Sequence, residues 1–206
     1  MKTIITILVI FLSATLTAQL PKALDEVAPF SEGLAGIRKG NQWAFIDDLG
    51  NIIIDFRGDV YWNPNANDSS EGVKAIRYPK FTNGRCIVRK YVDEIPIYGF
   101  IDTKGELVIE YQFLNVNLFK DGVTTGIIHE KIFRGRNEFK LNIYEDKFHE
   151  VLMDTSGEII EFLGRRYNIQ LKKSRYELPR ITSKILNDKL VAIRVEDNWE
   201  IRKLNF

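Results

Sequence analysis

A pattern written three times limits what this chain can fold into. It reads Phe, two polar residues and Gly, a short apolar stretch, an aromatic-and-small pair, then an apolar pair, Asp-x-x-Gly and a β-branched run. The first copy starts at Phe30-Ser-Glu-Gly33, passes Trp43-Ala-Phe-Ile-Asp47 and Gly50, and ends at Ile54. The second restarts at Phe81-Thr-Asn-Gly84 and runs from Tyr98-Gly-Phe-Ile-Asp102 to Ile109. The third starts at Phe119-Lys-Asp-Gly122 and has a worn ending, Val151-Leu-Met-Asp154-Thr-Ser-Gly157-Glu-Ile-Ile160. A repeated unit of this size buries its apolar face by stacking on its neighbours, so the repeat outranks any local signal.

Each copy reads as strands. Trp43, Phe45 and Asp47 alternate with Ala44 and Ile46, and Tyr98, Phe100 and Asp102 alternate with Gly99 and Ile101, the period of a strand with two unlike faces. The polar pair and Gly that open each copy predict a turn with a residue at positive φ. The Phe before that turn is expected to anchor in the shared core. Asp47-x-x-Gly50, Asp102-x-x-Gly105 and Asp154-x-x-Gly157 predict hairpin turns whose Asp accepts backbone N–H groups. Three carboxylates at one repeat position also resemble an array for chemistry, but closing a turn accounts for the spacing without it.

The expected fold is therefore all-β: stacked β-hairpin or three-stranded meander repeats at 30–56, 81–111 and 119–162, with insertions at 57–80 and 130–140. A degenerate repeat or capping sheet follows at 163–206. A propeller fragment or open barrel is the second expectation. Arg134-Gly-Arg136 predicts an exposed turn in the second insertion. Tyr167, Ile169 and Leu171 alternate with polar residues and predict a strand. Glu71-Gly-Val-Lys-Ala-Ile76 echoes the first strand of a unit. Val191–Val195 and Trp199–Leu204 predict a last hairpin, with Trp199 near the slot that Trp43 holds in the first copy.

These residues carry a resemblance. Phe-x-x-Gly-x-Ala, an aromatic-small pair, then Phe-Ile-Asp-x-x-Gly and two β-branched residues resemble the WG (KWG) repeat family of bacterial proteins, over residues 24–162. No copy keeps an intact Trp-Gly: the pairs are Trp43-Ala44, Tyr98-Gly99 and Glu150-Val151. The resemblance implies a binding or scaffold module rather than an enzyme, and it transfers no active-site residues.

Lys2, the apolar run Ile4 to Leu12 and the small residues up to Ala18 predict an export signal over 1–18. The run is shorter than the roughly 20 residues of a membrane span. Export implies a periplasmic or extracellular protein that does not span the membrane once the signal is removed. Charge is uneven: residues 19–161 hold 17 Lys and Arg against 23 Asp and Glu, whereas 162–206 hold 11 against 5. The two parts are expected to attract each other. The basic run Arg165 to Arg180 reads as a solvated face rather than a nucleic-acid site, given export and a balanced mature charge. The single Cys86 excludes an internal disulfide and falls where the first copy has Ala35, a small buried slot.

No phosphate loop, nucleophile elbow or zinc pattern is present, and no cofactor is implied. His129 and His149 have no ligand at metal spacing, though pairing of the third hairpin would bring them close. Asn63, Asn65 and Asn67 have calcium-loop spacing without the Asp, Gly and Glu such a loop needs. The expected function is an exported, non-catalytic module that binds a protein at the envelope or outside the cell. The alternative is a glycan- or cell-wall-binding module using exposed aromatics. For it Tyr61 and Trp62, outside the repeat register, are the candidate contacts. A hydrolase with carboxylates from different repeats is the third expectation.

Overall fold

The computed structural model describes residues 20–67 and 69–204, so the export signal expected over 1–18 lies outside the described residues. Those residues form three antiparallel sheets. The first is β1 (Glu26–Val27), β2 (Ala35–Lys39), β3 (Gln42–Ile46) and β4 (Ile52–Arg57), side by side in chain order. The second holds β5 (Cys86–Val92), β6 (Ile95–Ile101), β7 (Leu107–Val116), β8 (Val123–Arg136), β9 (Asn142–Asp154) and β10 (Ile159–Arg166), again consecutive. The third is β11 (Ser183–Asn187), β12 (Leu190–Val195) and β13 (Asn198–Lys203). The protein is all-β, built of meanders. The second and third copies share one sheet because β7 serves both, pairing with β6 and then, past a bulge, with β8.

The register shows four units. Arg38 faces Trp43 on β2–β3, Arg89 faces Tyr98 on β5–β6, Ile127 faces Glu150 on β8–β9, and Arg194 faces Trp199 on β12–β13. A lead-in strand joins each hairpin at one place: Val27 against Ile37, Val60 against Val88, Val116 against Gly126, and Ser183 against Ile193. The C-terminal sheet is thus a fourth copy. Its β13 has a ladder partner on one edge only among the described residues.

Two kinds of turn set this register. Ser31–Leu34, Thr82–Arg85 and Lys120–Val123 close two-residue hairpins whose central residues both have positive φ: Glu32 and Gly33, Asn83 and Gly84, Asp121 and Gly122. That is the type I′ geometry whose twist matches paired strands. In the second kind, Asp47 Oδ1 accepts the N–H of Leu49 and Asn51 at 3.0 and 2.8 Å. Asp102 does the same for Lys104 and Glu106, and Asp154 for Ser156 and Glu158.

Packing between units repeats as well. Phe81 meets Phe45 edge-on at 4.9 Å, and Phe119 meets Phe100 at the same distance. The Phe of each opening turn therefore lies on the preceding unit. Phe30 has no described unit before it and is 55% exposed, against the expectation of a core anchor. Turns also link to turns: Glu32 accepts the N–H of Asn83 and Gly84 at 2.6 and 2.7 Å, and Asn83 Oδ1 accepts that of Gly122 at 3.0 Å. Arg57 grips Asp59 with Nε and Nη2 and donates Nη1 to the carbonyl of Gly105, tying β4 to the turn of the next unit. Burial pulls Asp59 upward, but the Arg57 fork outweighs it and holds the carboxyl below its ordinary value.

Cys86 is buried as expected, and desolvation pushes its thiol up to about 12. Gly99 allows a close approach, since a Cβ there would sit 2.6 Å from the Ile109 carbonyl oxygen on β7.

Four local expectations fail. Residues 71–76 form a 3-10 turn, Gly72–Ala75, not a strand; the N–H of Gly72 and of Val73 are taken by Asn117 and Asn115 side chains. Residues 130–136 are not an insertion between strands but the continuation of β8, and β9 starts at Asn142. The turn falls at Asn137–Leu141 rather than at Arg134–Arg136; Gly135 sits at a bulge with φ +119°. Residues 167–171 have no ladder partner, because Ile169 and Leu171 pack on a cluster of Leu114, Ile127, Phe148 and Ile181 instead.

Candidate functional site

The β8–β9 hairpin outgrows its sheet. Pairing with β7 stops at Ile128 and pairing with β10 stops at Phe148, while β8 and β9 stay paired with each other from Val123–Asp154 out to Arg136–Asn142. From Glu130 to Lys147 the result is a two-stranded ribbon with no other ladder partner. Asn137 closes its tip as Asp does elsewhere, accepting the N–H of Phe139 and Leu141 at 3.0 and 2.9 Å, with Lys140 in the left-handed position at φ +60°. The ribbon exposes Phe133, Phe139, Leu141, Ile143 and Tyr144, and Phe139 is 81% exposed. Phe133 and Tyr144 pair across it at 5.6 Å, with the Lys131 ammonium 4.7 Å over the Tyr144 ring. A two-stranded ribbon has no core to hide such side chains. Clustered exposed apolar groups of this kind mark contact surfaces.

A second feature is the slot in front of each hairpin's facing pair. In the first unit Trp62 enters it, 5.6 Å edge-on from Trp43, with the Arg38 guanidinium 5.0 Å over the Trp62 ring. In the second, Tyr61 stands 5.1 Å edge-on from Tyr98, with Arg89 5.3 Å over Tyr61. In the third, Glu150 replaces the aromatic and is buried; its oxygens accept Thr182 N–H and Oγ1–H, both at 2.9 Å, with Arg166 at 3.8 Å.

Tyr61 and Trp62 therefore do not form the exposed pair expected of them. Tyr61 is buried in a core cluster and Trp62 is half-buried against another, because the slots of the first two units take them up. Sequence reasoning missed the ribbon. The stretch 130–140 reads as an insertion turning at Gly135, whereas the true tip, Asn137–Leu141, carries no Gly to signal it.

His129 and His149 are ladder neighbours but project from opposite faces, since His129 faces Phe148 and His149 faces Ile128. His129 Nε2 lies 2.7 Å from Asp146 Oδ1 and the ring stacks on Phe148 at 5.1 Å. This pair lines a groove of about 530 Å³ with Lys90, Lys131 and Tyr111. None of the groove's lining residues is Ser, Thr or Cys, so the pair has no nucleophile of that kind to activate. The asparagines of the 63–67 loop spend their side chains locally. Asn63 accepts the N–H of Asn65, and Asn67 accepts that of Ser69.

Fold and slots define a β-repeat protein whose units are coupled turn to turn and Phe to Phe. A family model described as WG containing repeat matches residues 20–43 and 98–124. Those two stretches are similar to the WG repeat, as the resemblance of the copies implied. The family's unit is cut differently from the hairpin unit: residues 98–124 run from β6 along β7 and through the next opening turn to the start of β8. No curated protein and no solved structure matches the chain. The WG repeat is a repeat module, and no helix of the described residues is long and apolar enough to cross a membrane.

Proposed function

We propose that the protein is an exported, non-catalytic repeat module that binds another protein, and that the β8–β9 ribbon is its contact surface. The observation that carries this reading is the ribbon's exposed apolar tip. Phe139, Leu141 and Ile143 contribute nothing to the repeat core, yet a monomer has a solubility cost in showing them. The apolar run from Ile4 to Leu12 supports export, and the repeat architecture supports a scaffold. The repeated Asp residues support the absence of catalysis in a specific way, since each is committed to its own turn.

The test is capture from envelope extract by immobilised residues 19–206, alongside a Phe139→Ser, Leu141→Ser, Ile143→Ser variant. The expected result is a protein retained reproducibly by the native chain and lost, at least tenfold, by the variant. Equal retention by both chains removes the ribbon from the reading. Retained polysaccharide without protein transfers the weight to glycan binding.

A further inference from the structure

The first three units fill their own slots, with Trp62, Tyr61 and Thr182. Among the described residues the fourth does not. Arg194 and Trp199 face each other on β12–β13 as Arg38 and Trp43 do on β2–β3, yet Trp199 is 47% exposed where Trp43 is fully buried. The difference is the missing plug. The ladder position that gives Tyr61 to the second unit gives Lys184 to the fourth, and its ammonium rests 5.1 Å over the Trp199 ring. In front of Trp199 lies a cleft of about 570 Å³.

We infer that this fourth slot is a binding site for an aromatic side chain of a partner protein, flanked by acidic residues. The aromatic character follows from the first two units, where an edge-on ring beneath a guanidinium completes the same facing pair. The acidic flanks follow from the rim, where Arg180, Lys184 and Arg194 face the cleft; Arg166 beside them is already held by Glu150 and Thr182. Three carboxylates also line the cleft. Glu71 lies 3.4 Å from Lys184 and Asp197 3.8 Å from Arg194, both at the exposed surface, while Glu196 and Arg180 make no ion pair among the described residues. Exposed pairs of this length are weak and exchange readily for a ligand carboxylate. A ring entering the slot gains an edge-on contact with Trp199 and a cation above it.

This inference rests on the protein-binding reading but uses a different surface, so the two fail separately. The probe is N-acetyl-Asp-Trp-Asp-amide, titrated calorimetrically into residues 19–206, the chain used for capture. Saturable binding is expected, at least tenfold tighter than that of the Asp-Ala-Asp and Lys-Trp-Lys analogues. Trp199→Ala is expected to weaken it at least tenfold. Lys184→Tyr, which supplies the plug that the second unit already has, is expected to abolish it. Circular dichroism of both variants matching the native chain confirms that the slot alone has changed. No saturable binding, equal affinity for the Ala analogue, or retention of binding by both variants overturns the inference. So does maltohexaose displacing nothing yet binding in a Trp199-dependent way, which makes the slot a sugar site. Loss of ribbon-dependent capture with this titration intact sinks the ribbon and leaves the slot standing.

Discussion

Asp154 shows how much one carboxylate does in a turn. Its Oδ1 accepts two backbone N–H groups and the Ser156 hydroxyl. Partial burial pushes its pKa up, but the Ser156 hydroxyl and the turn N–H groups outweigh this and hold it below its ordinary 3.8. A depressed folded-state pKa means that the ionised form stabilises the fold. That contribution is complete above the unfolded value and is lost as pH falls through the folded one. Asp154→Ala is therefore expected to lower stability by about 1 kcal/mol at neutral pH, with the gap closing below pH 3.8. Urea midpoints of both chains from pH 7 to pH 2.5 check this, and a pH-independent gap would assign the loss to packing. These Asp positions were legible because Asp and Gly at fixed spacing name the turn. Asn137 and Lys140 build the same turn illegibly, since Lys at φ +60° has no sequence signature. Phe30 was misread for a different reason. Its pattern matches Phe81 and Phe119, but burial depends on a preceding unit, which a local pattern does not report.

At the scale of elements, hairpin register was the most legible feature and the use of the connections the least. Strand alternation over Trp43–Asp47 and Tyr98–Asp102 placed β3 and β6. The 167–171 segment has the same alternation but no ladder, because periodicity reports which side is apolar and not whether a neighbour supplies hydrogen bonds. Tyr61 and Trp62 lay outside the repeat register and were read as free, whereas their position beside a lead-in strand sends them into the slots. The opening turns form a chain of their own. Glu32→Ala removes two acceptors that couple the first turn to the second and is expected to cost about 1 kcal/mol. Thermal melts give the check, with Glu32→Gln losing less because it keeps an acceptor. A change no larger than that of Glu138→Ala, on the ribbon tip, would show that the turns do not couple.

For the whole molecule, the uneven charge acquires a place. Arg165, Arg166, Lys173, Lys184 and Arg202 from the C-terminal part pair with Glu145, Glu150, Glu94, Glu71 and Glu161 of the earlier units. Most of these pairs are exposed and screened by salt. Buried Glu150 is different, because it replaces the slot aromatic and receives the strand leading into the fourth unit. Glu150→Ala leaves Thr182 without its acceptor at a cost of about 2 kcal/mol. The loss should concentrate in β11–β13, read as faster amide exchange there than in β5–β7. Uniform acceleration across both sheets would place the effect on global stability instead.

The ribbon also has a mechanical meaning. β8 and β9 are the strands from which it grows, and β7 and β10 flank them in the sheet. A pull on the tip along the ribbon axis runs down β8 and β9 and tries to slide them past their neighbours. The ladder hydrogen bonds lie across that direction, so they share the load together rather than opening one after another. A tether attached at Phe139 is thus anchored inside the largest sheet, with a strand on either side of the two that carry the load.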